Sequence, residues 1–186
     1  MTKVVKNLTI INILIFIISY LLEKSGFNFI NTFALFPLSS DLYQNHQWLS
    51  YQFLHGSISH IILNMIALLS FGPVVENHLK GNFIWFYLIC GFGSAFLQLM
   101  FFPEISLIGA SGAIFGVLLL YVILEPNSKI LLFFIIPIKA KWLMLMILVF
   151  ESYMTFFGEP DGVAHLAHIG GAMTGFLWFI ITKKMK

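Results

Sequence analysis

Residues 83–102 read FIWFYLICGFGSAFLQLMFF, twenty consecutive positions without a charge. At 1.5 Å per residue such a run makes a helix of about 30 Å, the apolar thickness of a bilayer. Five more apolar runs, at residues 4–22, 60–75, 106–124, 142–157 and 163–182, bring the expected spans to six. Composition agrees: of 186 residues 59% are hydrophobic and 10% charged, and mean hydropathy is +0.93, more apolar side chain than one small core can bury. A soluble globular domain is excluded. The expected fold class is all-α, a polytopic membrane protein with a single domain over residues 1–186.

Outward from the spans, charge sets the topology. In a six-span chain Lys3, Lys6, Lys80, Lys129, Lys139, Lys141, Lys183, Lys184 and Lys186 fall on one side and only Lys24 on the other, so the first side is expected to be cytoplasmic. Both termini then lie inside, and Glu23, Asp41, Glu104, Glu159 and Asp161 lie in the opposite loops. Lys3 and Lys6 before the first run suggest a signal peptide. Glu23, Lys24 and Ser25 stand where a small-residue cleavage site belongs, so the run reads as a retained span. Residues 130–138 are too short to cross and contain Pro137; they are expected at the interface or as an extension of the fifth span. Residues 23–54 form the one long loop, too aromatic for a free linker and expected to fold onto the outer interface.

Ten lysines, no arginine and a net charge of +2 give no dense basic surface, so nucleic acid is not an expected partner. Cys90 is the one cysteine, which excludes an intrachain disulfide and thiolate metal spacing. The expected setting is a bacterial cytoplasmic membrane, with the bilayer and transmembrane proteins as partners; the sequence leaves the oligomeric state undetermined.

His60, Ser111 and His168 fall on three different spans, each within about 10 Å of the outer surface. Polar groups are costly in hydrocarbon and tend to face a cavity or the bundle interior. In the fourth span Gly109, Gly112, Ala113 and Gly116 make a ridge of small residues that permits close packing. In the sixth, Ala164, His168, Gly171 and Gly175 share one face. If the two faces meet, His168 reaches Ser111, and a neutral imidazole can take the hydroxyl proton as the serine attacks a carbonyl. His60 and Asn64, four apart on one helix face, can donate toward the same point and stabilise an oxyanion together with the Ser111 backbone N–H. Each feature also has a plain structural reading: small-residue spacing is common helix glue, and polar side chains bind helices together. A metal held by His60, His165 and His168 is a rival, but H-E-x-x-H is absent. Glu151 lies at similar depth; it reads more simply as a helix-bridging carboxylate than as a third catalytic member. No cofactor and no metal are expected.

These residues resemble the rhomboid family of intramembrane serine proteases over residues 47–175. Gln47-Trp48 and Phe53-Leu54-His55-Gly56-Ser57 resemble the segment entering the second span, and His60 with Asn64 resembles the H-x-x-x-N oxyanion pair. Gly109-Ala110-Ser111-Gly112 is similar to the nucleophile motif. Ala167-His168-Ile169-Gly170-Gly171 is similar to the A-H-x-G-G motif, which selects His168 over His165, and Phe71-Gly72 with Glu76 resembles the end of the second span. The Trp-Arg pair seen in many members' first loop is missing, since Leu49 follows Trp48.

The resemblance implies a six-transmembrane-helix rhomboid-like bundle, a cavity opening outward, a Ser111–His168 dyad, and hydrolysis of peptide bonds in or near transmembrane segments. It also implies that Phe115, four after the serine, packs on the imidazole. The alternative is a non-proteolytic rhomboid-like protein that binds transmembrane clients in the same groove.

Overall fold

The computed structural model describes residues 2–132 and 135–184, so Lys186 and residues 133–134 of the short apolar patch lie outside the described residues. The chain runs α1 (Lys3–Lys24), α2 (Phe29–Phe33), α3 (Gln47–Ser50), α4 (Ile58–Leu79), α5 (Phe83–Phe101), α6 (Ser111–Leu124), β1 (Lys129–Leu132), β2 (Ile136–Lys139), α7 (Ala140–Phe157) and α8 (His165–Lys184). The long helices α1 and α4 to α8 stand at the six positions expected for spans. By length and composition α1, α7, α8 and the nearly continuous Ile58–Phe101 stretch holding α4 and α5 suit a bilayer.

α5 shows why. Phe83, Phe86, Tyr87, Cys90, Ser94 and Gln98 are buried on one face, while Trp85, Ile89, Phe92, Phe96 and Met100 are exposed on the other. A helix apolar on both faces is at home where the solvent is lipid. This is an integral, multi-pass membrane protein.

α6 occupies the centre, against α4, α5, α7 and α8, and buries Gly112, Ala113, Ile114, Gly116, Val117, Leu118, Leu120 and Val122 around its circumference. With 14 residues it is about 21 Å long, short of the roughly 30 Å of bilayer hydrocarbon, so one end must stop inside the bundle. The expected start at residue 106 is therefore corrected to Ser111. The preceding stretch is extended: Leu107 pairs with Leu35 through N–H···O bonds of 2.8 and 3.0 Å, and the Gly109 N–H donates to the Tyr51 carbonyl at 2.9 Å. Gly109 has φ +124°, a region that other residues rarely adopt.

The long loop is folded, not free. Gln47, fully buried, accepts from the backbone N–H groups of Phe36 (3.3 Å) and Gln44 (3.2 Å) and donates to the carbonyls of Leu42 (2.8 Å) and Thr32 (3.3 Å). Trp48 stacks on Phe92 of α5, which ties the loop to the bundle. The described residues of the patch at 130–138 extend no helix: β1 and β2 pair antiparallel in the register Lys129↔Lys139, Ile130↔Ile138. β-branched residues around Pro137 suit an edge strand better than a helix. At the other end of the chain, Glu76 of α4 accepts from the Val4 and Val5 N–H groups at 2.9 and 2.8 Å, satisfying donors that the first turn of α1 would otherwise leave open.

Candidate active site

The packing of α6 on α8 sets the site. A Cβ on Gly171 would overlap the Gly112 carbonyl, and one on Gly175 would sit 2.8 Å from the Gly116 oxygen, closer than real side-chain contacts. Both small-residue faces read from sequence thus meet, and the backbones approach as only glycine allows. One residue before Gly112 stands Ser111; three before Gly171 stands His168. Their side chains touch, with His168 Nε2 2.9 Å from Ser111 Oγ. The His168 ring also lies flat on Phe115, with centroids 4.3 Å apart and planes 7° apart. α8 is anchored just before the histidine, where the Ala167 N–H donates to Oε1 of the buried Gln98 at 2.9 Å. Sequence reasoning passed over Gln98; its signal was an amide in an otherwise apolar, charge-free run.

Ser111, His168, His60, Asn64 and Phe115 all line one cavity of about 810 Å³. A Cβ on Gly109 would lie 2.8 Å from His60 Nε2 and 3.7 Å from Ser111 Oγ, so imidazole and hydroxyl border the space that the missing side chain leaves open. Asn64 sits one turn along α4 from His60. Its Nδ2 is buried and has no hydrogen-bond partner among the described residues, an arrangement that costs about 1–3 kcal/mol in a stable fold. Ser111 opens α6, so its own N–H belongs to the first turn and has no intrahelical acceptor.

His55, another residue whose role was not read from sequence, packs edge-on against His60 with centroids 5.0 Å apart. It is buried, with neither ring nitrogen hydrogen-bonded to a described side chain or backbone group. Burial, and then the neighbouring His60, pull its pKa from 6.5 down to about 4. His60 therefore has an uncharged ring behind it at neutral pH.

On the far side of His168 lies a second group of polar side chains. Glu151 Oε2 is 2.6 Å from His165 Nδ1 and 3.1 Å from His168 Nδ1. His165 Nε2 in turn lies 3.2 Å from both carboxylate oxygens of Asp161. The Val163 N–H bond to Asp161 (2.9 Å), with His165 adding to it, holds the Asp161 carboxyl below its ordinary range. Glu151, His165 and His168 each offer one ligand atom within 4.8 Å of the others, a set that could hold a metal ion. Among the described residues His60 does not join this group, so the histidine trio considered from sequence does not assemble.

The serine and histidine in contact beside a cavity thus stand at the junction of two helices of a multi-pass membrane protein. A family model described as Rhomboid domain matches residues 42–185, and the chain belongs to the rhomboid family. It is 34% identical to RHOMBOID-like protein 4 of Arabidopsis thaliana over 132 residues, 69% of this chain and 32% of the relative. It is 36% identical to rhomboid protease GluP of Bacillus subtilis over 126 residues, 66% and 23% of the two chains. With Rhomboid protein 1, mitochondrial, of Saccharomyces cerevisiae it shares 32% over 139 residues, 69% and 40%. The chain thus spans well under half the length of these curated relatives.

Proposed function

We propose that this chain is an intramembrane serine endopeptidase that hydrolyses peptide bonds in or near transmembrane segments of other membrane proteins, using Ser111 and His168 as a dyad. The observation that carries this is the 2.9 Å contact between His168 Nε2 and Ser111 Oγ, made beside a cavity large enough for a peptide segment. Membership of a family that includes a protein named as a rhomboid protease supports it.

His168 Nε2 takes the Ser111 hydroxyl proton as Oγ bonds to the scissile carbonyl carbon. The tetrahedral oxyanion forms near Gly109, where His60, the Asn64 amide and the Ser111 N–H donate to it, each worth about 3 kcal/mol in such a role. The carbon–nitrogen bond then breaks as His168 returns its proton to the leaving amine. Water, deprotonated by the same imidazole, attacks the acyl carbon, and the acyl–Oγ bond breaks as the imidazole hands that proton to Ser111 Oγ. Phe115 holds the imidazole flat through both steps. A membrane helix hides its backbone in internal hydrogen bonds, so substrates with glycine, proline or other weak helix formers at the cleavage site are favoured. The lysine distribution supports cytoplasmic termini and a site opening to the outer face of a bacterial cytoplasmic membrane.

Labelling the purified protein with a fluorophosphonate probe and mapping the adduct tests this. The adduct is expected on Ser111 and absent from Ser111→Ala and His168→Ala. A folded wild type that takes up no probe and cleaves no model transmembrane substrate overturns the protease reading in favour of client binding.

A further inference from the structure

We propose that Glu151 is a positioning residue for His168, its carboxylate holding the imidazole with Nδ1 protonated and Nε2 free to accept the Ser111 proton. The inference rests on the protease reading for its catalytic consequence but not for its geometry.

One carboxylate oxygen serves two rings. Glu151 Oε2 stands 2.6 Å from His165 Nδ1 and 3.1 Å from His168 Nδ1, and it has lone pairs for both. Glu151 and His165 are buried, at 6% and 8% exposure, so the carboxylate needs these partners to be there at all. His165 is itself braced by Asp161 at its other nitrogen. A chain of polar side chains therefore runs from Asp161 in the loop before α8 through His165 and Glu151 to His168 and Ser111, crossing from α8 to α7, back to α8 and on to α6. His165 fixes the carboxylate; the carboxylate faces His168.

The consequence follows from what each group can do. A carboxylate accepts and cannot donate, so the imidazole nitrogen facing it is favoured as N–H. In a neutral ring that leaves the lone pair on Nε2, the atom 2.9 Å from the serine hydroxyl. The other tautomer would set the Nδ1 lone pair against an anionic oxygen and present Nε2–H to a hydroxyl whose proton it could not take. When Nε2 does take that proton the ring becomes a cation beside the carboxylate, and the attraction is strongest where water is excluded. The Nδ1–Oε2 approach lies off the N–H axis, since Nδ1 makes no aligned hydrogen bond among the described residues. Catalytic hydrogen bonds are often loose in the free enzyme and align when substrate binds. The competing arrangement, in which Glu151 serves only to bridge α7 to His165 of α8, makes no demand on the His168 tautomer.

That difference decides the experiment. Nitrogen-15 spectra of the full chain, labelled at histidine and held in bilayers at pH 8, report which ring nitrogen of His168 carries the proton; the signal is assigned by its loss in His168→Ala. The expected wild type has Nδ1–H, Glu151→Gln shifts His168 toward Nε2–H, and Glu151→Asp restores part of the wild-type signal. In cleavage of a transmembrane substrate Glu151→Gln is expected to lower kcat by roughly 10²-fold with KM within about twofold, less than the ~10⁴-fold loss when an aligned triad aspartate is changed to asparagine. A wild-type His168 with Nε2–H overturns the inference without recourse to any variant. So does a Glu151→Gln protein with unchanged tautomer and kcat. If Nδ1–H is found in a protein that cleaves nothing, the positioning stands and the protease reading falls.

Discussion

His168 is stacked on Phe115, their planes 7° apart and their centroids 4.3 Å apart. Both come from faces of α6 and α8 that otherwise meet through glycine, so the phenyl ring fills the gap beside the imidazole and removes its freedom to turn about χ2. Ring stacking of this kind contributes about 0.5–1.5 kcal/mol beyond buried area. Phe115→Leu is expected to lower kcat about tenfold, with the rate of fluorophosphonate labelling at Ser111 falling in parallel and KM little changed. Equal labelling rates for variant and wild type would show that the ring orientation is set elsewhere.

Asn64 offers a separation of stability from turnover. Its buried Nδ2 has no hydrogen-bond partner among the described residues and is expected to gain a protein-independent acceptor when the oxyanion forms. Asn64→Ala should therefore leave the unfolding temperature unchanged or higher while kcat falls by about 10²-fold. Steady-state kinetics alongside thermal unfolding in the same detergent checks both. A changed KM with constant kcat would assign Asn64 to substrate binding instead.

Gly171→Ala tests whether backbone contact between α6 and α8 builds the site. The added methyl meets the Gly112 carbonyl, a backbone atom that cannot turn aside, so the helices must separate. A destabilisation of about 1–3 kcal/mol is expected, with loss of probe labelling at Ser111 as His168 is carried away. Gly81, where a Cβ meets nothing within 4 Å, supplies the control: Gly81→Ala should stay within about 0.5 kcal/mol of wild type. Labelling that survives in Gly171→Ala would mean that the serine and histidine are held together by other contacts.

What was legible from sequence, and what was not, divides along the range of the interactions. The six long helices follow from hydropathy because each apolar run needs only its own residues and a lipid solvent. The meeting of Ser111 with His168 was legible because Gly112 and Gly116 on one helix and Gly171 and Gly175 on the other allow a close approach, which the structure makes where Gly171 and Gly175 abut the Gly112 and Gly116 backbone. The start of α6 was not. Residues 106–110 are apolar enough to pass for helix, and what keeps them extended is Leu35, about seventy positions earlier, together with the Tyr51 carbonyl. The β1–β2 pairing escaped because a short apolar run has no periodicity long enough to separate strand from helix. Glu151 and His165 were visible as polar residues at the right depth, yet a shared carboxylate oxygen is a matter of side-chain direction that spacing does not convey. Gln98 bonds to α8 from α5, sixty-nine positions earlier, and its sequence neighbourhood says nothing of it.

His55 makes a prediction about acid. Its ring is held neutral with a pKa of about 4 against 6.5 in an exposed chain, through burial and the nearby His60. The unfolded chain therefore binds more protons than the folded one between those values, and stability rises with pH there. The contribution is complete above pH 6.5 and is lost as pH falls toward 4, amounting to about 3 kcal/mol. Replacing the ring by an uncharged amide in His55→Gln removes that titration whatever its effect on the packing. Thermal unfolding from pH 8 to pH 4 should thus show the wild type losing stability more steeply than His55→Gln between 6.5 and 4, while the two curves run parallel above. Asp161, the other loop group with a shifted pKa, is lowered from 3.8 and so titrates below this window. Parallel curves throughout would mean that the folded protein accommodates a charged His55, most simply by letting the segment before α4 open to water.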